Sequence, residues 1–88
     1  MTEFRIYTIY DSKVSAYVIK PFCAQSKGSV VRELFDVVNG TDKSAPIAKH
    51  PHDYSLFEIG TFDDVTGVLS SYVAREHVIA LHELLNKE

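Results

Sequence analysis

Apolar and polar positions alternate with a period of two at the start of the chain. Phe4, Ile6, Thr8 and Tyr10 fall on one side, and Arg5, Tyr7 and Ile9 on the other. β-Branched and aromatic side chains on both sides predict a strand over Glu3 to Tyr10 that lies inside a sheet. Asp11-Ser12-Lys13 is a short polar turn, and alternation resumes from Val14 to Ile19. The first two strands therefore form a hairpin, and Pro21, which lacks a backbone donor, ends regular pairing.

The period then changes. Val30, Val31, Leu34, Phe35, Val37 and Val38 recur at helical spacing behind Ser26-Lys27-Gly28-Ser29, where Ser26 or Ser29 supplies the cap. Asn39-Gly40 tolerates the left-handed conformation that ends a helix, and the wide apolar face predicts a helix lying over the sheet. Thr41 to Asp53, with Pro46 and Pro51, reads as loop. Tyr54 to Phe62 is a third strand, Asp63-Asp64-Val65-Thr66-Gly67 a turn, and Val68 to Val73 a fourth strand. Val78, Ile79, Leu81, Leu84 and Leu85 predict an amphipathic helix over Arg75 to Lys87, with Glu76 and Lys87 placed to suit its macrodipole. The expected fold is α+β: a small four-stranded, mostly antiparallel sheet in ββαββα order, with the helices packed on one face. Four strands leave two open edges, which a second copy can close, so a homodimer is expected.

Composition narrows the class without naming a chemistry. Eighty-eight residues make one domain, residues 1–88, and a chain this small buries only about 60 to 65% of its unfolded surface, which leaves little for an elaborate active site. There is no apolar run of the roughly 20 residues that span a bilayer and no basic-then-apolar leader, so no membrane association is expected. Cys23 is the single cysteine, which rules out an intramolecular disulfide and fits a reducing compartment. The net charge of −3 is unevenly spread: residues 1–50 carry seven basic against five acidic side chains, and residues 51–88 two against seven. The first part can face an anion, while overall acidity argues against strong non-specific duplex binding.

No catalytic constellation emerges, and neither an enzyme nor a cofactor is expected. His50, His52 and Asp53 come nearest to a metal site. His77 and His82, five positions apart on the expected helix, lie roughly 140° apart and cannot share a ligand face. Solvated or hydrogen-bonded histidines are the simpler reading, so no metal is assigned. Cys23 is expected to be a buried apolar side chain rather than a nucleophile, because nothing in the sequence brings a base to it. Asp63 and Asp64 are ordinary turn residues.

Nucleic-acid binding has more residues behind it, since exposed aromatics between cations are the parts of a base-stacking platform. Tyr7, Phe57 and Tyr72 suit the core equally well. Tyr10, Lys13, Tyr17, Lys20 and Phe22 form the preferred surface, with Lys27 as a further phosphate contact.

These residues also carry a resemblance. The chain resembles the small nonstructural protein of gokushoviruses, the icosahedral single-stranded DNA phages of the microvirus group, often called the phage open-reading-frame-five family. The shared motifs run in order from Ile6-Tyr7 through Tyr10-Asp11-Ser12-Lys13, Ala16-Tyr17, Pro21-Phe22, Gly28, the Phe35-to-Asn39 helix end and Lys49-His50-Pro51. They continue with Asp53-Tyr54-Ser55-Leu56-Phe57, Gly60-Thr61-Phe62-Asp63-Asp64 and Gly67, covering about residues 6 to 67. Cys23 departs from the pattern, which has another aromatic after Pro-Phe, and the tail from Arg75 to Glu88 looks more helical than the family's variable end. The resemblance implies a nonstructural accessory protein in the host bacterial cytoplasm. It would serve viral genome replication or the switch to single-stranded DNA synthesis and packaging, with single-stranded DNA as its partner. The alternative is a protein-interaction module that binds the replication initiator, a procapsid protein or a host replication factor without touching DNA.

Overall fold

A computed structural model describes residues 3–85. The fold is α+β, built on an antiparallel sheet, as expected. The sheet has five strands: β1 (Glu3–Asp11), β2 (Ala16–Tyr17), β3 (Phe22–Ala24), β4 (Tyr54–Asp63) and β5 (Leu69–Ala80). Their order is β2-β1-β4-β5, with β3 also pairing with β1. Of the expected second strand, Val14 to Ile19, only Ala16–Tyr17 forms β2, and a further short piece, β3, follows beyond it. Tyr10 opposes Tyr17, and pairing resumes beyond Pro21 with Tyr7 opposite Phe22. Pro21 interrupts the edge rather than ending it, because its missing donor falls between the two paired pieces.

Helix α1 (Lys27–Asn39) starts where Ser26 caps it, its hydroxyl accepting from the Ser29 amide at 3.2 Å. Val30, Leu34 and Val38, spaced by four, are its buried face. They pack on Tyr7, Ile9, Tyr54 and Leu56 of the sheet and on Leu81 and Leu84 behind it. The expected loop from Thr41 to Asp53 holds a short helix, α2 (Pro46–Lys49), and a 3-10 turn at Pro51–Asp53, each opened by a proline whose missing N–H is no loss in the first turn.

The expected last helix is not there. β5 runs on to Ala80, and only a 3-10 turn, Leu81–Leu84, follows. Asn86 and Lys87 of that expected helix lie outside the described residues. Pairing with β4 outweighs helical spacing here: Ser55 to Glu58 take Ala80 to Glu76 as partners. Leu81 and Leu84 still reach the core from the turn, and Asn39 Nδ2 ties α1 to it by donating to the Leu84 carbonyl at 2.7 Å.

The helices and 3-10 turns cover one sheet face only. On that face Tyr7, Ile9 and Asp11 of β1 oppose Glu58, Leu56 and Tyr54 of β4. Thr8 and Tyr10, opposite Phe57 and Ser55, belong to the bare face. The β4–β5 ladder breaks between Glu58↔Glu76 and Gly60↔Ser71, so that Ile59 alone faces the arch Tyr72–Arg75 of β5. Gly60 permits the close approach at the foot of the arch, since a Cβ there would meet the Ser70 carbonyl oxygen at 2.3 Å. Gly60→Ala is therefore expected to destabilise the protein by about 1 to 3 kcal/mol in urea unfolding. Gly28→Ala, with open space around the added methyl, is expected to be neutral or to stabilise by up to about 1 kcal/mol. Equal midpoints for the two variants would overturn the Gly60 assignment.

Candidate functional site

The bare face gathers a cluster that sequence alone scatters. Tyr10 and Tyr17 are cross-strand partners with ring centroids 5.0 Å apart. Phe57, from β4, sets its ring 5.9 Å from Tyr10 and 6.0 Å from Tyr17, and His77 of β5 stands edge-on to Phe57 at 5.2 Å. All four contacts are edge-to-face, the arrangement that ring quadrupoles favour. Into this group the arch delivers Arg75, whose guanidinium carbon lies 5.7, 5.5 and 5.2 Å from the rings of Tyr10, Tyr17 and Phe57. These are cation–π distances. Among the described residues no carboxylate pairs with Arg75, so its charge remains available to an anion.

A cleft of about 860 Å³ opens beside the cluster, between the arch and the Ile19–Pro21 segment, with Thr8, Phe57 and Ile59 at its floor. Thr8 helps to shape it by donating its hydroxyl to the Ile19 carbonyl at 2.7 Å. A smaller hollow of about 380 Å³ adjoins it through Pro21, Ile59 and Ser71 and includes Cys23. Cys23 is exposed there, opposite Ile6 on β1, and is not the buried apolar side chain expected from sequence. Cys23 has no apolar period to follow once the strand breaks at Pro21.

The sequence-predicted site residues divide. Tyr10 and Tyr17 meet in the cluster. Lys20 is exposed between two cleft-lining residues, Ile19 and Pro21. Lys13 is exposed in the hairpin turn, its amide donating to the Asp11 carboxylate at 2.8 Å. Phe22 instead turns to the helix side, 6.0 Å from the Tyr7 ring. Lys27, at the start of α1, lies 3.9 Å from Glu76, whose cross-strand partner is Glu58 on the covered face. Arg75 and His77 are the members that sequence reading missed, and Phe57, which suits the core equally well in sequence, joins them. Ser71 to His77 carries no apolar–polar alternation that marks Arg75 and His77 as strand residues of one face, and the helical spacing farther on points to a helix.

Two of the histidines considered as metal ligands lie together. His52 and His82 stack nearly parallel, 4.9 Å apart with 6° between their planes. Among the described residues no group of three or more His, Cys, Asp or Glu side chains converges on one point.

Under the arch, on the covered side, lies Glu58, fully buried. Its Oε2 accepts from Arg5 at 2.9 Å and from the Tyr72 hydroxyl. Burial pushes the Glu58 carboxyl up, but hydrogen bonds from Tyr72 and Arg5 and the charges of Arg5 and Lys27 outweigh it and hold the group below its ordinary value. Donation to Glu58, reinforced by burial, raises the Tyr72 phenol.

A depressed folded-state value means that the carboxylate contributes stability above its ordinary 4.5 and loses it as pH falls through the folded value. Urea midpoints measured from about pH 7 to about pH 3 are expected to fall less steeply in Glu58→Gln than in the wild type. Tyr72→Phe is expected to lower stability at neutral pH by about 1 to 3 kcal/mol. Parallel profiles for wild type and Glu58→Gln would show that the charge is not linked to folding.

Among the described residues no helix is long and apolar enough to cross a membrane. No curated protein and no solved structure matches the chain. A family model described as "Phage ORF5 protein" matches residues 4–84, nearly the whole of what the structure describes, including every strand that frames the bare face. The chain belongs to the phage ORF5 protein family.

Proposed function

We propose that the bare face binds single-stranded DNA, as a phage accessory protein in the host bacterial cytoplasm during genome replication or the switch to single-stranded synthesis and packaging. The observation that carries this reading is the meeting of Tyr10, Tyr17 and Phe57 around Arg75 on an uncovered sheet face. Half-exposed rings offer π-faces to bases of any sequence, and an unpaired guanidinium can stack on a base or take a phosphate. Lys13 and Lys20 flank the cluster as phosphate contacts. Phe22 and Lys27 face the helix side and are left out of the interface.

A fluorescent oligonucleotide titration at low and physiological salt, beside a duplex control, tests the reading. Preference for the single strand is expected, with a log–log salt slope of about −2 for three phosphate contacts. Tyr17→Ala and Arg75→Ala should each weaken binding by about fivefold to 150-fold, the equivalent of about 1 to 3 kcal/mol per stacked base. Lys27→Ala should leave affinity unchanged. Absence of binding at low salt, where charge attraction is strongest, would remove DNA from the account. It would favour the alternative of an adaptor for the replication initiator, a procapsid protein or a host replication factor.

A further inference from the structure

The two edges of the sheet are built differently. On one, β2 and β3 are two and three residues long and Pro21 lies between them. Short strands and proline blunt an edge against further pairing. The other edge is β5, twelve residues from Leu69 to Ala80 with neither proline nor glycine, and among the described residues it pairs only with β4. Val73, in the middle of the arch, is 109% exposed and Leu69 68%. A long edge with exposed apolar side chains is a template for another strand.

We infer that two copies of the chain join through β5, antiparallel, about a twofold axis perpendicular to the sheet at Val73. Such an axis keeps the bare faces of both copies on one side, and it lets only residues of the same face oppose one another. This limits the registers sharply. An axis at Arg75 or at Glu76 sets that charge against its own copy, which destabilises a sheet. An axis at Tyr72 would oppose two side chains already committed to Glu58. One at Ala74 sets Val73 against a cation.

At Val73 these conflicts vanish. Val73 packs on its own copy, Arg75 opposes Ser71, Glu76 opposes Ser70, Tyr72 opposes Ala74, and His77 opposes Leu69. Arg75, Glu76 and Tyr72 each meet a small side chain, and no like charges meet.

The second copy also extends the candidate site. Val73 and Arg75 alternate onto the bare face with Ser71, so the two clusters become one surface across the junction. The two Arg75 positions stand four residues apart along adjacent strands, about 14 Å at roughly 3.4 Å per residue. A strand leaving one cluster meets the other without crossing an edge.

Sedimentation equilibrium of the nucleic-acid-free protein tests the pairing independently of DNA binding, so failure here leaves the single-strand reading standing. A mass of twice 9.9 kDa is expected. Val73→Lys, at a position fully exposed in its own chain, should weaken the dimer at least tenfold while circular dichroism stays unchanged. In a Cys23→Ser background, Val73→Cys should form a disulfide-linked dimer on mild oxidation. Directly opposed residues have Cα atoms about 4.5 to 5.5 Å apart, inside the range a disulfide bridges. Ala74→Cys in the same background should not. A monomeric wild type, a dimer indifferent to Val73→Lys, or preferential linkage through Ala74→Cys would overturn the inference.

Discussion

A carboxylate enclosed in a very small domain governs how the far side of the sheet is built. Glu58 occupies the last regular pair before β5 leaves β4, and burial there demands partners for its charge. They come from both neighbouring strands: Arg5 from β1 and Tyr72 from β5 reach the same oxygen. One buried charge therefore pins three strands across the sheet. It also settles which way the arch faces. With Tyr72 turned under the sheet to meet Glu58, the period of two sends Val73 and Arg75 to the opposite side. Arg75 reaches the aromatic cluster because Tyr72 reaches Glu58.

The cluster exists because the helical layer is small. One helix of thirteen residues, a single turn of another and two 3-10 turns cover one face, and nothing similar covers the other. Apolar side chains on a bare face must shield one another. Tyr10, Tyr17, Phe57 and His77 do so edge-on, while Phe4 and Phe62 stack at 6.4 Å farther along the same strands. Rings arranged in this way keep part of their faces open to solvent, which is the condition for a ligand to stack on them. Thr8, only 3% exposed on the bare side, shows how far the Ile19–Pro21 segment folds over to make one wall of the cleft.

How much of this was legible in the chain depends on whether local period and long-range pairing agree. They agree in β1, α1 and β4: Ser26 is a cap, Val30, Leu34 and Val38 form one face, and Tyr54 to Phe62 alternate. They disagree after Val73. Val78, Ile79, Leu81, Leu84 and Leu85 fit a helix, and their spacing contains no trace of the β4 partners that hold residues 76–80 in the sheet. Arg75 and His77 were lost from the site with that misreading. Phe22 is the opposite case, grouped with Tyr17 in sequence yet lying on the helix side. Tyr17 and Phe22 are five positions apart, an odd number, so alternation already separates their faces; grouping them by proximity in sequence ignored a rule the strand obeys. Tyr10 and Tyr17 were recoverable because a hairpin makes them direct partners.

Sidedness also lets an acidic chain expose a cation on one face. Net charge sums over both faces, but a ligand meets one. Among the acidic residues of the paired strands, Glu58 and Asp11 lie on the covered face, with Glu58 bound to Arg5. Glu76 lies there too, near Lys27. Residues 51–88 are the acidic part of the sequence, yet Arg75, the only Lys or Arg among their described members, alternates onto the bare face beside His77. The same two-residue period that hides the carboxylates under the helices brings the cation out among the rings. Arg75 therefore stands among aromatic neighbours on the bare face, while Glu58 and Glu76 lie on the other side of the sheet, each beside a cation of its own.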